Sequence, residues 1–139
     1  MFSYIILERN NLKEDDVQKI IASGMITSEF GLLNLSHIVA PAGLKELHDG
    51  MVEIVLSEIS NIPFVFIRGV KTSAKSFEST DMMRGEETEL AGILNPDYEN
   101  CVYVLPGSHS KIIKTDEEGR IKEFSTMLTG EMIASLSQN

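Results

Sequence analysis

Cysteine is almost absent from the chain: Cys101 is the only one, so no disulfide can form within it. Flanked by Val102, Tyr103 and Val104 in an apolar run, that thiol reads as a strand packing residue rather than a nucleophile. No apolar run approaches the roughly 20 residues a membrane-spanning helix needs. The opening Met1-Phe2-Ser3-Tyr4-Ile5-Ile6-Leu7 offers neither the basic n-region nor the small-residue cleavage site of a secretory signal. A reducing cytoplasm is therefore the expected compartment. Basic residues are scarce as well, 12 Lys and Arg against 21 Asp and Glu, for a net charge of −9. Such a field repels polyanions at long range and argues against nucleic acid or an anionic membrane as main partner. It leaves room for a small anion, because a ring of amides and one lysine acts at short range. Also missing are a Walker Gly-Lys-Ser/Thr loop and a GxGxxG fingerprint. His37 and His48 lack Cys or His partners at metal-ligand spacing, so no protein-bound structural metal is expected.

What is present is a globular composition in 139 residues, 42% hydrophobic and 24% charged, which suits one compact unit without repeats or low-complexity linkers. A helical piece precedes the break at Asn10-Asn11, a helical turn spans Glu14 to Gln18, and "KIIASGM" reads as a buried strand ending at Gly24. "ITSEFGLLNLSHIVAPAG" is an ordered loop with extended pieces. In "LKELHDGMVEIVLSEIS" the residues Leu44, Leu47, Met51, Val55 and Ile59 share one helical stripe, with Gly50 as the point where a short helix followed by a strand is the alternative. "IPFVFIRGV" and "CVYVLPG" read as buried strands, separated by the polar loop "TSAKSFEST" and by a helix expected to start at Asp81. That helix would turn Met82, Leu90, Ile93 and Leu94 toward a sheet. "SKIIKT" and "IKEFST" flank Asp116-Glu117-Glu118-Gly119 as a hairpin, and "GEMIASL" begins a last helix. The class is α/β, a mixed sheet with flanking helices and a C-terminal β-hairpin.

Three stretches can carry chemistry. In "DMMRGEETE", Asp81, Arg84, Glu86, Glu87 and Glu89 crowd one helix start. The plain reading is a capped, solvated end with Arg84 paired to Glu87 or Thr88; the sharper one makes Asp81 a general base for a hydroxyl, with Arg84 and Glu86 or Glu87 binding a polar acid substrate. In "LPGSHSK", Gly107 and small residues let amides approach an anion, Ser108 and Ser110 add hydroxyls, and Lys111 adds a point charge. His109 by itself reads as a hydrogen-bonded structural residue, and Thr129 as the N-cap of the last helix. In "SGMITSEFG", Gly24 is followed by Thr27, Ser28 and Glu29, a polar loop that can bind a polar ligand.

Taken in order, "SGMITSEFG", "PAGL", "DMMRGEETELAG", "LPGSHSKI" and "FSTMLTGEM" resemble the serial motifs of the 2-dehydro-3-deoxygalactonokinase family, including its Arg-Gly-Glu-Glu and Gly-Ser/Thr-His-Ser-Lys signatures. The resemblance runs across nearly the whole chain. It implies ATP-dependent phosphorylation of 2-dehydro-3-deoxy-D-galactonate to the 6-phosphate, with Mg and ATP, on a partial ribonuclease H-like, actin-type kinase fold. Residues 1–100 would be the latter part of the first half, on the sugar side, and 101–139 the opening phosphate hairpin and first helix of the second. By analogy with the helix start of glucokinases, Asp81 is the catalytic base. Gly107, Ser108, His109, Ser110 and Lys111 then surround the transferred phosphoryl group, Arg84 takes the substrate carboxylate, and Glu86 and Ser28 are further substrate contacts.

The chain departs from the family at Gly31-Leu32, where a Gly-Trp is typical, and at Thr27, where a second glycine is typical. The family's opening Asp-Trp-Gly-Thr-Thr-type hairpin, its first phosphate loop, has no counterpart within these 139 residues, nor does its adenosine-binding half. The residues by themselves are therefore expected to show little or no kinase activity. The alternatives are a non-catalytic sugar-acid-binding or interaction module derived from such a kinase, and a chain whose complement lies on another polypeptide. Self-association through exposed strand edges is a further expectation.

Overall fold

A computed structural model describes residues 7–73 and 80–137. Of the helix expected before Asn10, residues 7–9 are helical and the rest lies outside the described residues, as does most of the loop 72–80. Nine strands and three helices follow in the order β1 (Ile20–Ala22), β2 (Ile38–Val39), α1 (Leu44–Asp49), β3 (Val52–Ile54), β4 (Phe64–Phe66), β5 (Val70–Lys71), β6 (Met82–Met83), α2 (Glu86–Ile93), β7 (Val102–Leu105), β8 (Ser110–Thr115), β9 (Ile121–Met127) and α3 (Thr129–Ser137). They form three small sheets in the orders β1-β4-β3, β2-β5-β6 and β7-β8-β9. The first two are mixed, with parallel pairs β1-β4 and β2-β5, while the third is antiparallel throughout. The expected mixed α/β arrangement with a C-terminal hairpin is therefore present. Among the described residues no helix is long and apolar enough to cross a membrane.

Local sequence explains most of these elements. Phe64-Val65-Phe66 occupies the centre of its sheet, is buried on both faces, and stacks its two phenylalanine rings at 5.6 Å because alternate residues share a face. The stripe from Leu44 to Ile59 is not one helix: α1 ends at Asp49, Gly50 donates its N–H to the Glu46 carbonyl, and the chain re-emerges as β3. "CVYVLPG" is not buried as expected. β7 pairs only with β8, so Tyr103 and Leu105 turn inward while Val102 and Val104 face out, and Cys101 lies half-exposed just before the strand.

The largest correction concerns the helix expected from Asp81. Met82 and Met83 instead form β6, paired with Lys71 and Val70 of β5, and α2 starts only at Glu86. The acids of the helix start act as its caps: Glu86 Oε2 accepts the Arg84 N–H at 3.0 Å, and both Glu87 oxygens accept the Gly85 N–H at 2.9 Å. Asp81 is left free to reach elsewhere.

One core joins the second and third sheets. Ala40, Ala42, Leu47, Val70, Met83 and Leu90 pack with Ile113, Ile121 and Phe124, and the strands are stitched by a bridge between Ala42 and Ile121. Each large side chain so buried contributes about 1.5–3 kcal/mol. That contact seats the β8-β9 hairpin against the β5-β6 corner, and the geometry below depends on it.

Candidate functional site

A cleft of about 750 Å³ opens between the β6-α2 corner and the turn joining β7 to β8. Asp81, Arg84, Glu86, Gly107, Ser108, His109 and Lys111, all singled out in the sequence, border it, and His37 and Thr126 join them. Ser28 and Ser110 do not. Ser28 is buried behind the loop, where its hydroxyl donates to the Met25 carbonyl at 2.7 Å and accepts the Phe30 N–H at 3.3 Å, which corrects its reading as a substrate contact. Ser110 sits behind the 107–109 turn, hydrogen-bonded to the Gly107 N–H and to the Thr129 hydroxyl.

Asp81 reaches across to β9. Its Oδ1 accepts the Met82 N–H and the Thr126 hydroxyl, each at 2.7 Å, and its Oδ2 accepts the Thr126 N–H at 2.6 Å. A carboxylate offers about four lone-pair positions, so among the described residues one remains on Oδ2. That position is what a hydroxyl-activating carboxylate requires.

Arg84 is not paired to Glu87 or Thr88. Its Nη1 donates to the Thr27 carbonyl at 2.7 Å and hydroxyl at 2.8 Å, and its Nη2 donates to the Leu35 carbonyl at 2.7 Å. The guanidinium thus fastens the loop 24–35 to the β6-α2 corner, and its Nε–H and one Nη2 N–H have no partner among the described residues. Thr27, the departure from the family's glycine, is fully buried and uses its hydroxyl both to accept from Arg84 and to donate to the Gly24 carbonyl at 2.9 Å. Gly24 and Gly85, with φ of +85° and +109°, pass each other at this junction. A Cβ on Gly85 would stand 3.4 Å from Gly24 Cα, so a side chain there meets both a strained backbone and a neighbouring chain.

Glu87 is the residue that the sequence reading placed wrongly. Instead of a solvated helix end it is 0% exposed, and that burial pushes its carboxyl above the ordinary range despite the N–H of Gly85 and the Thr88 hydroxyl. Lys111 is also buried, at 4%. Its ammonium donates to the Met82 carbonyl at 2.8 Å and to the Thr126 hydroxyl, lies 4.0 Å from Glu86 Oε1, and sits 5.9 Å from the centre of the Phe124 ring. It forms the floor of the cleft rather than a mobile arm. His37 was set aside for want of metal partners, yet it lines the wall. Burial, with Arg84, Lys71 and Arg68 nearby, holds its imidazole down at about 4, so it is neutral at neutral pH.

The turn 107–109 presents hydrogen-bond donors at the border of the cleft. The Ser108 and His109 amides have no partner among the described residues. The Ser108 hydroxyl and His109 Nδ1 are 3.3 Å apart, and His109 Nε2 stands 3.4 Å from Glu131 of α3. Gly130 lets α3 abut this turn, since a Cβ there would lie 2.4 Å from the Gly107 carbonyl oxygen. Among the described residues no group of three or more His, Cys, Asp or Glu side chains is placed to hold a metal ion.

Comparison with known proteins bears on this geometry. The family model described as 2-keto-3-deoxy-galactonokinase matches residues 6–139. The 2-dehydro-3-deoxygalactonokinase of Escherichia coli strain K12 is 28% identical over 115 residues, covering 81% of this chain and 35% of that protein. DgoK1 of Rhizobium meliloti strain 1021, assigned the same activity, is 28% identical over 123 residues, covering 86% of this chain and 38% of its own length. A crystal structure of a protein from Sinorhizobium meliloti, also assigned as a 2-dehydro-3-deoxygalactonokinase, aligns with a TM-score of 0.80 at 25% identity, over 99% of this chain and 43% of that one. The chain thus spans little more than a third of the length of the curated relatives it matches.

Proposed function

Because this chain belongs to the 2-keto-3-deoxy-galactonokinase family, we propose that its cleft is the sugar-acid side, with one phosphate loop, of a kinase acting on 2-dehydro-3-deoxy-D-galactonate. Residues 1–100 supply the sugar side, and 101–139 open the half that receives the nucleotide. The observation that carries this reading is the convergence of Asp81, Arg84 and the 107–109 turn on one cleft.

Asp81 accepts the substrate hydroxyl at the open position on Oδ2, orients it and takes its proton late. Arg84 offers its remaining N–H groups to the substrate carboxylate, and Glu86 stands beside it as a hydrogen-bond acceptor. The turn amides and hydroxyls, over the buried charge of Lys111, face the transferred phosphoryl group. When bound, Mg-ATP supplies that group and neutralises its charge. Phosphoryl transfer depends chiefly on positioning and electrostatic stabilisation, so this division of roles is chemically sufficient.

The chain spans little more than a third of its curated relatives' length, which supports a second reading: these residues by themselves bind the sugar acid without turning it over. Coupled ADP release with 2-dehydro-3-deoxygalactonate is expected at background for the 139 residues alone. Calorimetry is expected to show saturable binding of the sugar acid that Asp81→Ala weakens at least tenfold while leaving it measurable. Absence of binding to the wild type would sink the assignment of the cleft, and robust ADP release would sink the second reading.

A further inference from the structure

We infer that Thr126 is the positioning residue for Asp81, and that the cross-strand pair Lys111-Thr126 is the seat on which the base rests; this deepens the reading of the cleft above and depends on it. Thr126 on β9 lies directly opposite Lys111 on β8. Its N–H donates to Asp81 Oδ2 at 2.6 Å and its hydroxyl to Oδ1 at 2.7 Å, so one residue holds both oxygens. The terminal torsion of an aspartate is soft and roughly two-fold, so a carboxylate held at one oxygen still rocks. Held at both, its plane is fixed, and with it the direction of the one open acceptor position.

The hydroxyl can do this because its direction is forced. It has one proton, which goes to Asp81, and it accepts from Lys111 Nζ. An ammonium has no acceptor capacity, so the chain of donors runs one way, from Lys111 through Thr126 to Asp81. Lys111 itself is pinned, buried and bonded to the Met82 carbonyl next to Asp81. The same hairpin carries the phosphate turn: Ser110 adjoins Lys111, and Thr129, three residues beyond Thr126, holds the Ser110 hydroxyl. Two strands therefore set the base and the turn in one register. A valine at 126 would fill the same space and keep the N–H bond to Oδ2, but it would leave Oδ1 held by the Met82 N–H alone and the buried ammonium with one acceptor fewer, so the carboxylate loses one of three donors.

The test is calorimetric titration of the chain with 2-dehydro-3-deoxygalactonate, comparing wild type, Thr126→Val, Thr126→Ser, Asp81→Ala and the Val–Ala double variant, with thermal unfolding of each alongside. Thr126→Val is expected to weaken binding about tenfold, as loss of a hydrogen bond to a charged group does, while serine restores it. In the double variant the two losses are not additive, because they act through one group, whereas a merely structural role for the hydroxyl would add. Wild-type affinity in Thr126→Val, or full additivity, overturns the inference while leaving Asp81 in place. Absence of binding by the wild type overturns the functional reading and this inference with it. If the valine variant does not fold, the Thr126 amide resonance decides: it shifts when the sugar acid is added to the wild type, and an unmoved resonance overturns the coupling.

Discussion

At the scale of single residues, a half-buried imidazole and a buried hydroxyl make the clearest demands. His37 has a folded pKa of about 4 against an ordinary 6.5, since burial and three neighbouring cations disfavour its charged form. Its contribution to stability is therefore present above pH 6.5 and lost as the pH falls through about 4, when the fold must accept a charge it disfavours. An imidazole NMR titration is expected to place its midpoint near 4, and a midpoint at or above 6.5 would contradict the buried wall described here. Tyr103 packs against the core with its hydroxyl buried and unpartnered among the described residues. An unsatisfied buried hydroxyl costs about 1–3 kcal/mol, so Tyr103→Phe is expected to raise stability by about 1 kcal/mol in urea unfolding. A clear loss would mean that the hydroxyl has a partner.

The elements show how far a sequence carries and where it stops. The Phe64–Phe66 strand, the Asp116–Gly119 hairpin turn and the final helix are legible because each is decided locally, by a run of apolar residues, a turn glycine or helical spacing, although Thr129 begins that helix rather than capping it and its hydroxyl meets Ser110. Asp81 was legible as a site residue but misplaced at a helix start. What moved it was remote: β6 pairs with β5, and Asp81 meets Thr126, 45 residues away. Thr126 carries no such signal, and the complete burial of Glu87, away from the cleft, has none either, since burial and partners across sheets leave no mark in a local pattern. Arg84 carried a clear signal of type but not of destination, as its partners Thr27 and Leu35 lie 57 and 49 residues back.

One element makes a sharp mechanical prediction. α3 meets the 107–109 turn at Gly130, where a Cβ would lie 2.4 Å from the Gly107 carbonyl oxygen and 2.7 Å from Ser108 Cα. Gly130→Ala is expected to cost about 1–3 kcal/mol through overpacking against backbone that cannot yield. Because the clash falls on the turn, amide shifts at Gly107 and Ser108 are expected to move with the unfolding midpoint. A variant of wild-type stability with those amides unmoved would show that α3 does not brace the turn.

For the whole molecule, the shared core around Ala42, Val70, Ile113 and Phe124 makes the second sheet, α1, α2 and the β8-β9 hairpin one packed body. The outer face of β7 and the whole of α3 are less well covered, with Val104, Met132, Ile133 and Leu136 each more than half exposed. Exposed apolar surface with an open strand edge favours association, so light scattering is expected to report mass growing with concentration. A monomer at high concentration would contradict this.

The central claim is that one cleft, bordered by Asp81, Arg84 and the 107–109 turn, takes the sugar acid. Amide NMR of the chain titrated with 2-dehydro-3-deoxygalactonate tests it most directly. Saturable shifts are expected at Asp81, Arg84 and Thr126, with Gly107 to His109 responding more strongly to added phosphate. Shifts clustered instead around Tyr98 and Arg120, which line a second cleft formed in part by α1 and the hairpin turn, or no shifts at saturating ligand, would contradict the account.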